Sequence, residues 1–359
     1  MKAVLVLEDG RKFEGNALGS DGERIGEVIF DTAVVGYQEM LTDPSNAGKI
    51  LVLTYPLIGN YGCAPKFNES SKVWAQALVI KESSRIFSNW QAKESMPEFL
   101  KRNKTFALTG IDTRTLSVHL RQKGQMHGVI STKTSDANEL LRKISNWRNI
   151  KKESILPSLS VKKPVKAGYP KSKKKIAVLD LGLTNSILKQ LESLRVNLDI
   201  LPYNTASSDI LKSRYDALVI SGGPEDDPAL VSIAKDIKAI IGKMPIFGIS
   251  TGHQVLGVAL GAKLAKLKLG HHGVNYPVHN PVSYKGEITV QNHSWVIEKE
   301  SFTKIKNVKV TAYNLNDRTI EEIESKKYRL LGVQYIPASP GFGEINPAFI
   351  KFMQMLKRS

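Results

Sequence analysis

The residues best able to do chemistry stand together at Gly248-Ile249-Ser250-Thr251-Gly252. The apolar run Pro245-Ile246-Phe247-Gly248-Ile249 leads into them, and His253-Gln254 follow where a helix would begin. A strand running into a glycine-flanked turn and then a helix presents one side chain at the strand tip, and Gly-x-Ser-x-Gly is the pattern by which serine hydrolases present a nucleophile. The chemistry on offer is attack by the Ser250 hydroxyl on a carbonyl or amide carbon. A serine hydroxyl, unlike a thiol, has negligible anion at neutral pH and attacks only with a base set against it. The pentapeptide names no base, so by itself it is a weak signal.

The elements that must position Ser250 are legible around it. From Lys175 onward, short β-branched runs alternate with amphipathic helical segments, the signature of βαβ units around a parallel sheet, which predicts a doubly wound α/β domain over 175–359. Ile176 to Asp180 reads as the first strand, Ser186 to Leu194 as a helix, and Asn197 to Leu201 as the second strand. Ala217 to Ser221 and Ile246 to Ile249 read as further buried strands, each ending in a glycine-containing turn. Ligands of open α/β sheets bind beyond the carboxyl ends of strands, where both turns would lie.

The first 150 residues read differently. Short strands at Ala3 to Leu7, Glu27 to Phe30, Lys49 to Leu53 and Ala77 to Ile80 are separated by Gly, Pro, Asn and Asp clusters. Helical stretches follow near Met96 to Lys101, Arg114 to Gln122 and Ala137 to Asn146. Residues alone leave 1–150 as an α/β or β-rich domain with no nucleotide-binding glycine fingerprint, internal repeat or metal cluster. Between the halves, 151–174 is rich in lysine, holds Pro157, Pro164, Pro170 and Gly168, lacks helical periodicity and reads as a solvated linker. A chain of 359 residues with 42% hydrophobic content fits two domains at about 150 residues each.

Composition narrows the function classes. The net charge of +17 could serve nucleic-acid binding, but the lysines are spread along the chain and no groove-reading helix collects them, so no nucleic-acid partner is expected. The charge reads as solubility and attraction to acidic partners or anionic substrates. The apolar run near Met1 is too short for a signal-peptide core and no later run reaches membrane-span length, which predicts no membrane association and a cytoplasmic address. Cys63 is the single cysteine, so no internal disulfide forms, and no Cys/His spacing suggests a zinc or other metal site.

Several longer segments carry a resemblance. Leu7-Glu8-Asp9-Gly10, Gly36-Tyr37-Gln38-Glu39-Met40-Leu41-Thr42-Asp43-Pro44-Ser45, Thr54-Tyr55-Pro56-Leu57-Ile58-Gly59-Asn60 and Ile111-Asp112-Thr113-Arg114 resemble the small subunit of carbamoyl-phosphate synthase. In the second half, Gly270-His271-His272-Gly273-Val274-Asn275-Tyr276-Pro277-Val278 and Gln291-Asn292-His293 continue that resemblance, and the 245–254 segment is similar to the nucleophile elbow of class I glutamine amidotransferases. The resemblance implies a mixed β/α N-terminal small-subunit domain and a C-terminal amidotransferase domain with a mainly parallel sheet. It also implies a subunit that hydrolyses glutamine and passes ammonia to a large, ATP-using partner in arginine and pyrimidine synthesis. That partner would form a heterodimer or higher assembly with this chain and would hold the ATP and Mg2+; no cofactor is expected in this chain, which has no phosphate loop.

The same resemblance exposes departures. In the family a cysteine attacks, a histidine moves the proton and a glutamate orients the histidine. Here Ser250 stands at the cysteine position, and the late motif Gln-aromatic-His-Pro-Glu-Ala-Ser-Pro-Gly reads Gln334-Tyr335-Ile336-Pro337-Ala338-Ser339-Pro340-Gly341. Ile336 takes the histidine position, and the glutamate is missing beside Ala338. The glutamine-binding positions implied by the resemblance are Ser45, Gly223, Glu225, Thr251, Gln254, Asn292, Ser294 and Trp295. Of these Ser45, Gly223, Gln254 and Asn292 match the family, whereas Ser294 replaces a glycine and Glu225 lies in a turn, Gly222 to Pro228, that is one residue longer and lacks a second glycine. Donors to an oxyanion depend on close placement, so that turn argues against an intact oxyanion site.

Three functional readings follow. The leading one is a small subunit with an inactive glutaminase site, whose complex uses free ammonia. The others are an ordinary glutamine-hydrolysing chain and a non-catalytic, amide-binding regulatory module.

Overall fold

The structure, a computed structural model, describes residues 1–150, 153–281, 286–341 and 343–356. Its N-terminal unit, Met1–Lys151 with Lys268–Gly273, begins with strands β1 (Lys2–Leu7), β2 (Lys12–Gly19) and β3 (Glu23–Asp31). It continues through α1 (Tyr37–Thr42), β4 (Lys49–Leu53), β5 (Leu57–Ile58), β6 (Ala77–Val79), β7 (Glu82–Ser83), α2 (Met96–Arg102), β8 (Phe106–Thr109), α3 (Thr113–Lys123), β9 (Met126–Ser131) and α4 (Ala137–Asn149). Seven of the strands close a barrel in the order β1-β2-β8-β6-β4-β3-β9, and antiparallel pairing from Val4↔Ser131 to Leu7↔Gly128 joins its ends. The strands β5 and β7 form a separate parallel pair.

Period-two alternation sorts the barrel's side chains. Leu5, Leu7, Phe13, Val28, Phe30, Ile50, Val52, Ala77, Val79, Phe106, Leu108 and Ile130 meet in one cluster fed by all seven strands, which only a barrel interior allows. Leu116 and Leu120 of α3 join it. The opposite residues pack outward, Leu51, Leu78 and Ala107 against Phe99 and Leu100 of α2, and Val4, Val6 and Val129 against Leu140 and Ile144 of α4.

The C-terminal unit holds Lys152–Leu267 and Val274–Ser359. In chain order it contains α5 (Leu156–Leu159), β10 (Val165–Gly168), β11 (Lys175–Asp180), α6 (Asn185–Ser193), β12 (Asn197–Pro202), α7 (Ser207–Lys212), β13 (Ala217–Ile220), α8 (Leu230–Ile240), β14 (Ile246–Ile249) and α9 (Thr251–Ala259). Then come β15 (Leu264–His279, of which Lys268–Gly273 is grouped with the N-terminal unit), β16 (Gly286–Ile297), α10 (Lys299–Phe302), β17 (Lys309–Asn314), β18 (Ile320–Ser325), β19 (Leu330–Val333) and α11 (Pro347–Leu356). They make a ten-stranded sheet ordered β10-β12-β11-β13-β14-β19-β18-β17-β15-β16. The five strands from β12 to β19 run parallel, and antiparallel strands flank them.

Parallel strands covered on both faces need apolar residues at every position. Ile176, Val178, Val219, Phe247 and Val333 face Ile187 and Leu191 of α6 and Phe349 and Phe352 of α11. Ala177, Leu179, Leu218, Ile220 and Ile246 face Ile233 and Ile237 of α8 and Val255 and Leu256 of α9. The chain leaves β11 toward β12 on one side and returns to β13 on the other, so the strand order reverses between β11 and β13. The carboxyl ends of β11, β13 and β14 border this switch point, the place where doubly wound sheets hold ligands.

The stretch expected as a solvated linker is partly built into this unit. Residues 151 and 152 lie outside the described residues, but Val165–Gly168 pairs antiparallel with Asn197–Ile200 at the sheet edge. Lys166 Nζ sits 2.6 Å from Asp199 Oδ1, and α5 buries Leu156 in the apolar layer. Among the described residues no helix is long and apolar enough to cross a membrane.

Candidate functional site

Strand β14 delivers the chain to Ser250 at φ 52°, ψ −111°, a backbone conformation that a residue with a Cβ adopts only when its surroundings impose it. Three hydrogen bonds impose it here. The Ser250 N–H donates 2.7 Å to Val333 O of β19, while its carbonyl accepts from His253 N–H (2.9 Å) and Gln254 N–H (3.1 Å) as α9 begins. The flanking glycines are required by packing. A Cβ on Gly248 would lie 2.5 Å from Gly252 O, and one on Gly252 would lie 2.2 Å from Ile220 O, so helix and strand approach only because both lack a side chain. The Gly-x-Ser-x-Gly pattern is therefore demanded by the fold whatever the central side chain does.

Ser250 is buried, and among the described residues no group hydrogen-bonds its Oγ. His253, three residues on, is fully buried and has no hydrogen-bond partner at either ring nitrogen among the described residues. Burial pushes it down to about 3, so it stays neutral, with Nδ1 lodged where a Gly332 Cβ would come within 2.7 Å. His293 spends its nitrogens on Gln291 Oε1 (2.7 Å) and Trp295 O (3.2 Å). His272, grouped with the N-terminal unit, meets the Gln125 amide at 2.8 Å.

Ile336 follows β19 and donates its N–H to Val290 O at 2.8 Å, and its side chain joins the apolar layer that contains Phe349 and Phe352. Ala338 N–H donates to Ile336 O, and Ala338 O accepts from Asn346 Nδ2, each at 2.8 Å. The segment is held by backbone and amide contacts, and neither position carries a group that could take or hold a proton.

The turn after β13 completes the site. A Cβ on Gly223 would fall 2.0 Å from Leu181 O, and Gly223 O accepts the Thr251 hydroxyl at 2.6 Å, which ties the turn to the first residue of α9. Glu225 turns inward. Its Oε2 accepts the Ser294 N–H at 2.6 Å, and its Oε1 accepts the Trp295 N–H at 3.1 Å and Gln254 Nε2 at 2.7 Å. Gln254 Nε2 also donates to Trp295 O at 2.9 Å. Asp226 is exposed, whereas Asp227 is buried and accepts the N–H groups of Ile155 (2.8 Å), Leu156 (3.3 Å) and Ala229 (2.9 Å).

Hydrogen bonds thus bring together Gly223 with Thr251, and Glu225 with Gln254, Ser294 and Trp295. Asn292 stands two residues before Ser294 on β16. Ser45 belongs to the N-terminal unit, where its N–H (2.8 Å) and Oγ (2.6 Å) donate to Asp43 Oδ1. Two residues that lie within the quoted motifs gain a role only from the structure. Asp227 fastens the start of α5, and Gln334 is fully buried with its Oε1 3.5 Å from Gln254 Nε2. A glutamine closing an apolar strand is the available signal for the second; the first has none, since its partner α5 lies in the stretch whose composition is that of a linker.

Comparison with known proteins agrees across the chain. Residues 5–130 match the family described as carbamoyl-phosphate synthase small chain, CPSase domain, and residues 177–352 match glutamine amidotransferase class-I. The chain is 39% identical over 359 residues to the carbamoyl phosphate synthase small chain of Listeria innocua serovar 6a, covering 99% of this chain and 97% of that protein. It is 39% identical to the protein of that name from Aquifex aeolicus, covering 98% of each. It is also 36% identical to the chloroplastic small chain of Oryza sativa subsp. japonica, covering 99% of this chain and 82% of that protein.

Proposed function

Because the chain belongs to the family of carbamoyl-phosphate synthase small chains, we propose that it serves as that synthase's small subunit with a silent glutaminase site, in a complex that takes free ammonia. The observation that carries the reading is the surroundings of Ser250. The elbow is built, but its hydroxyl has no base against it among the described residues, and the base position is Ile336. Amide hydrolysis by a hydroxyl needs a partner that removes its proton and returns it to the leaving ammonia. In a well-studied serine protease, losing a triad serine or histidine costs roughly 10⁶ in turnover, so a site without nucleophile thiol, base and orienter retains no useful hydrolysis.

In this reading the kept N-terminal segments dock the chain on the large subunit, in a heterodimer or an assembly built from it. ATP and Mg2+ bind on that partner, and the carbamoyl phosphate feeds arginine and pyrimidine synthesis in the cytoplasm. An amide-binding regulatory role is disfavoured by Glu225, whose carboxylate already takes the donors of Ser294, Trp295 and Gln254. The test is to assemble the chain with its large subunit and measure glutamate release from glutamine beside ammonium-driven carbamoyl phosphate synthesis. The expected outcome is ammonium-driven product and no glutamate above the large subunit alone. Turnover on glutamine comparable to that on ammonium would establish the ordinary hydrolysing chain instead.

A further inference from the structure

Three donors converge on one side chain at the centre of the site. Ser294 and Trp295 offer successive backbone N–H groups and Gln254 offers an amide N–H, and the distances to the Glu225 carboxylate are 2.6, 3.1 and 2.7 Å. Adjacent backbone donors backed by an amide are the recurrent way a protein binds an anion without spending a cation on it. A second observation lies beside them. Gln254 and Gln334 are fully buried, yet Gln254 Oε1 and Gln334 Nε2 have no hydrogen-bond partner among the described residues, so the cradle's edge still carries unused polar capacity. Buried amide atoms in that state are exceptions in a folded chain, and both of these border the cradle.

We propose that the Glu225 carboxylate is the built-in occupant of a carboxylate-binding cradle formed by Ser294, Trp295 and Gln254, which it closes to free carboxylates and to the carboxylate end of amino acids. The proposal rests on the reading above that this pocket is where a glutamine would sit, and it adds a second, independent reason why none is processed. Loss of the nucleophile and base stops the chemistry, whereas Glu225 stops binding. The occupant is held through a short stretch of chain, because Pro224 stiffens the turn before it and Asp227 anchors the turn after it. Its effective concentration in the cradle is therefore far above that of any dissolved carboxylate.

The test uses the full chain and acetate as probe, since acetate carries a carboxylate but no amide and its binding is blind to hydrolysis. Calorimetric titration of Glu225→Ala with acetate and with L-glutamine is expected to show saturable binding at least about tenfold tighter than to the native chain, because each charge-assisted hydrogen bond recovered is equivalent to about a factor of ten or more. Glu225→Gln, which keeps the shape, is expected to bind neither. Equal acetate binding by native chain and Glu225→Ala, or none by a folded Glu225→Ala, would overturn the proposal. If Glu225→Ala does not fold, the amide proton resonances of Ser294 and Trp295 in Glu225→Gln decide. An upfield move confined to the cradle supports the occupant, and unchanged resonances refute it. Should Glu225→Ala bind acetate and also release glutamate from glutamine while the native chain does neither, the reading of a silent site fails and the cradle stands.

Discussion

Replacing Ser250 by glycine and by alanine separates what the elbow does for the fold from what its side chain does. Both changes delete the hydroxyl, which has no hydrogen-bond partner among the described residues, so the difference between them reports chiefly the backbone. At φ 52°, ψ −111° a residue with a Cβ is held outside the comfortable regions, at a cost of about 1–3 kcal/mol. Glycine relieves that cost but brings a more mobile unfolded chain, worth about 0.4–1 kcal/mol against it. Set against each other, these leave Ser250→Gly more stable than Ser250→Ala by about 1 kcal/mol, with outer limits of about 0 and 2.6 kcal/mol. In a domain of this size that is a difference in Tm of about 2–4 °C.

The assay is equilibrium urea unfolding of the full chain for both variants, read as a change in midpoint at unchanged slope. At an unstrained position the order reverses, and alanine is the more stable by about 0.4–1 kcal/mol. That reversed order would refute the reasoning, because it would mean that Val333, His253 and Gln254 do not hold the tip of β14 at φ 52°, ψ −111°.

Two further predictions follow from the structure. Gly168→Ala places a Cβ 2.3 Å from Val196 O at φ +72°, so it is expected to destabilise the chain by about 1–3 kcal/mol in urea unfolding; a loss under about 0.5 kcal/mol would mean that 165–168 is the solvated linker its composition suggests. Glu39 is raised to about 6, first by burial and then by the nearby Glu69 charge, and its Oε2 has no hydrogen-bond partner among the described residues. A raised carboxyl favours folding while it is protonated, so this contribution is full below pH 4.5 and lost as pH rises through about 6. Glu39→Gln is then expected to match the native chain below that window and to exceed it above by up to about 2 kcal/mol, and parallel stability curves across the window would refute it.

What could be read from the residues follows how locally each feature is specified. The runs 176–179, Ala217–Ile220 and Ile246–Ile249 announce themselves because a parallel strand covered on both faces is apolar along its buried length. The barrel does not, since its closure depends on β9 returning to β1, a pairing between Val4 and Ser131 that no local pattern encodes. Strand β10 is hidden for a different reason: it lies at an edge, Val165 and Lys166 are exposed, and its composition is that of a loop. At the site, the residue types at 250 and 336 could be read directly. The direction of the Glu225 side chain could not, because an acid in a turn looks the same whether it points to water or inward to Ser294 and Trp295.

The retention of the elbow without its chemistry has a physical cause in this chain. Gly248 and Gly252 are fixed by contacts with the α9 backbone and with Ile220 O, so replacing either would push helix from sheet. Nothing comparable fixes position 250, whose side chain makes no bond among the described residues, or position 336, which needs only to fill space beside Phe349 and Phe352. A pattern whose glycines answer to packing and whose centre answers to catalysis can therefore lose the second and keep the first. The donors of Ser294, Trp295 and Gln254 differ from both. Backbone N–H groups cannot be mutated away, and left without a partner in a buried site they would each cost about 1–3 kcal/mol. A cradle that no longer receives a substrate must be filled or dismantled, and Glu225 fills it from a turn only a few residues beyond Ser221.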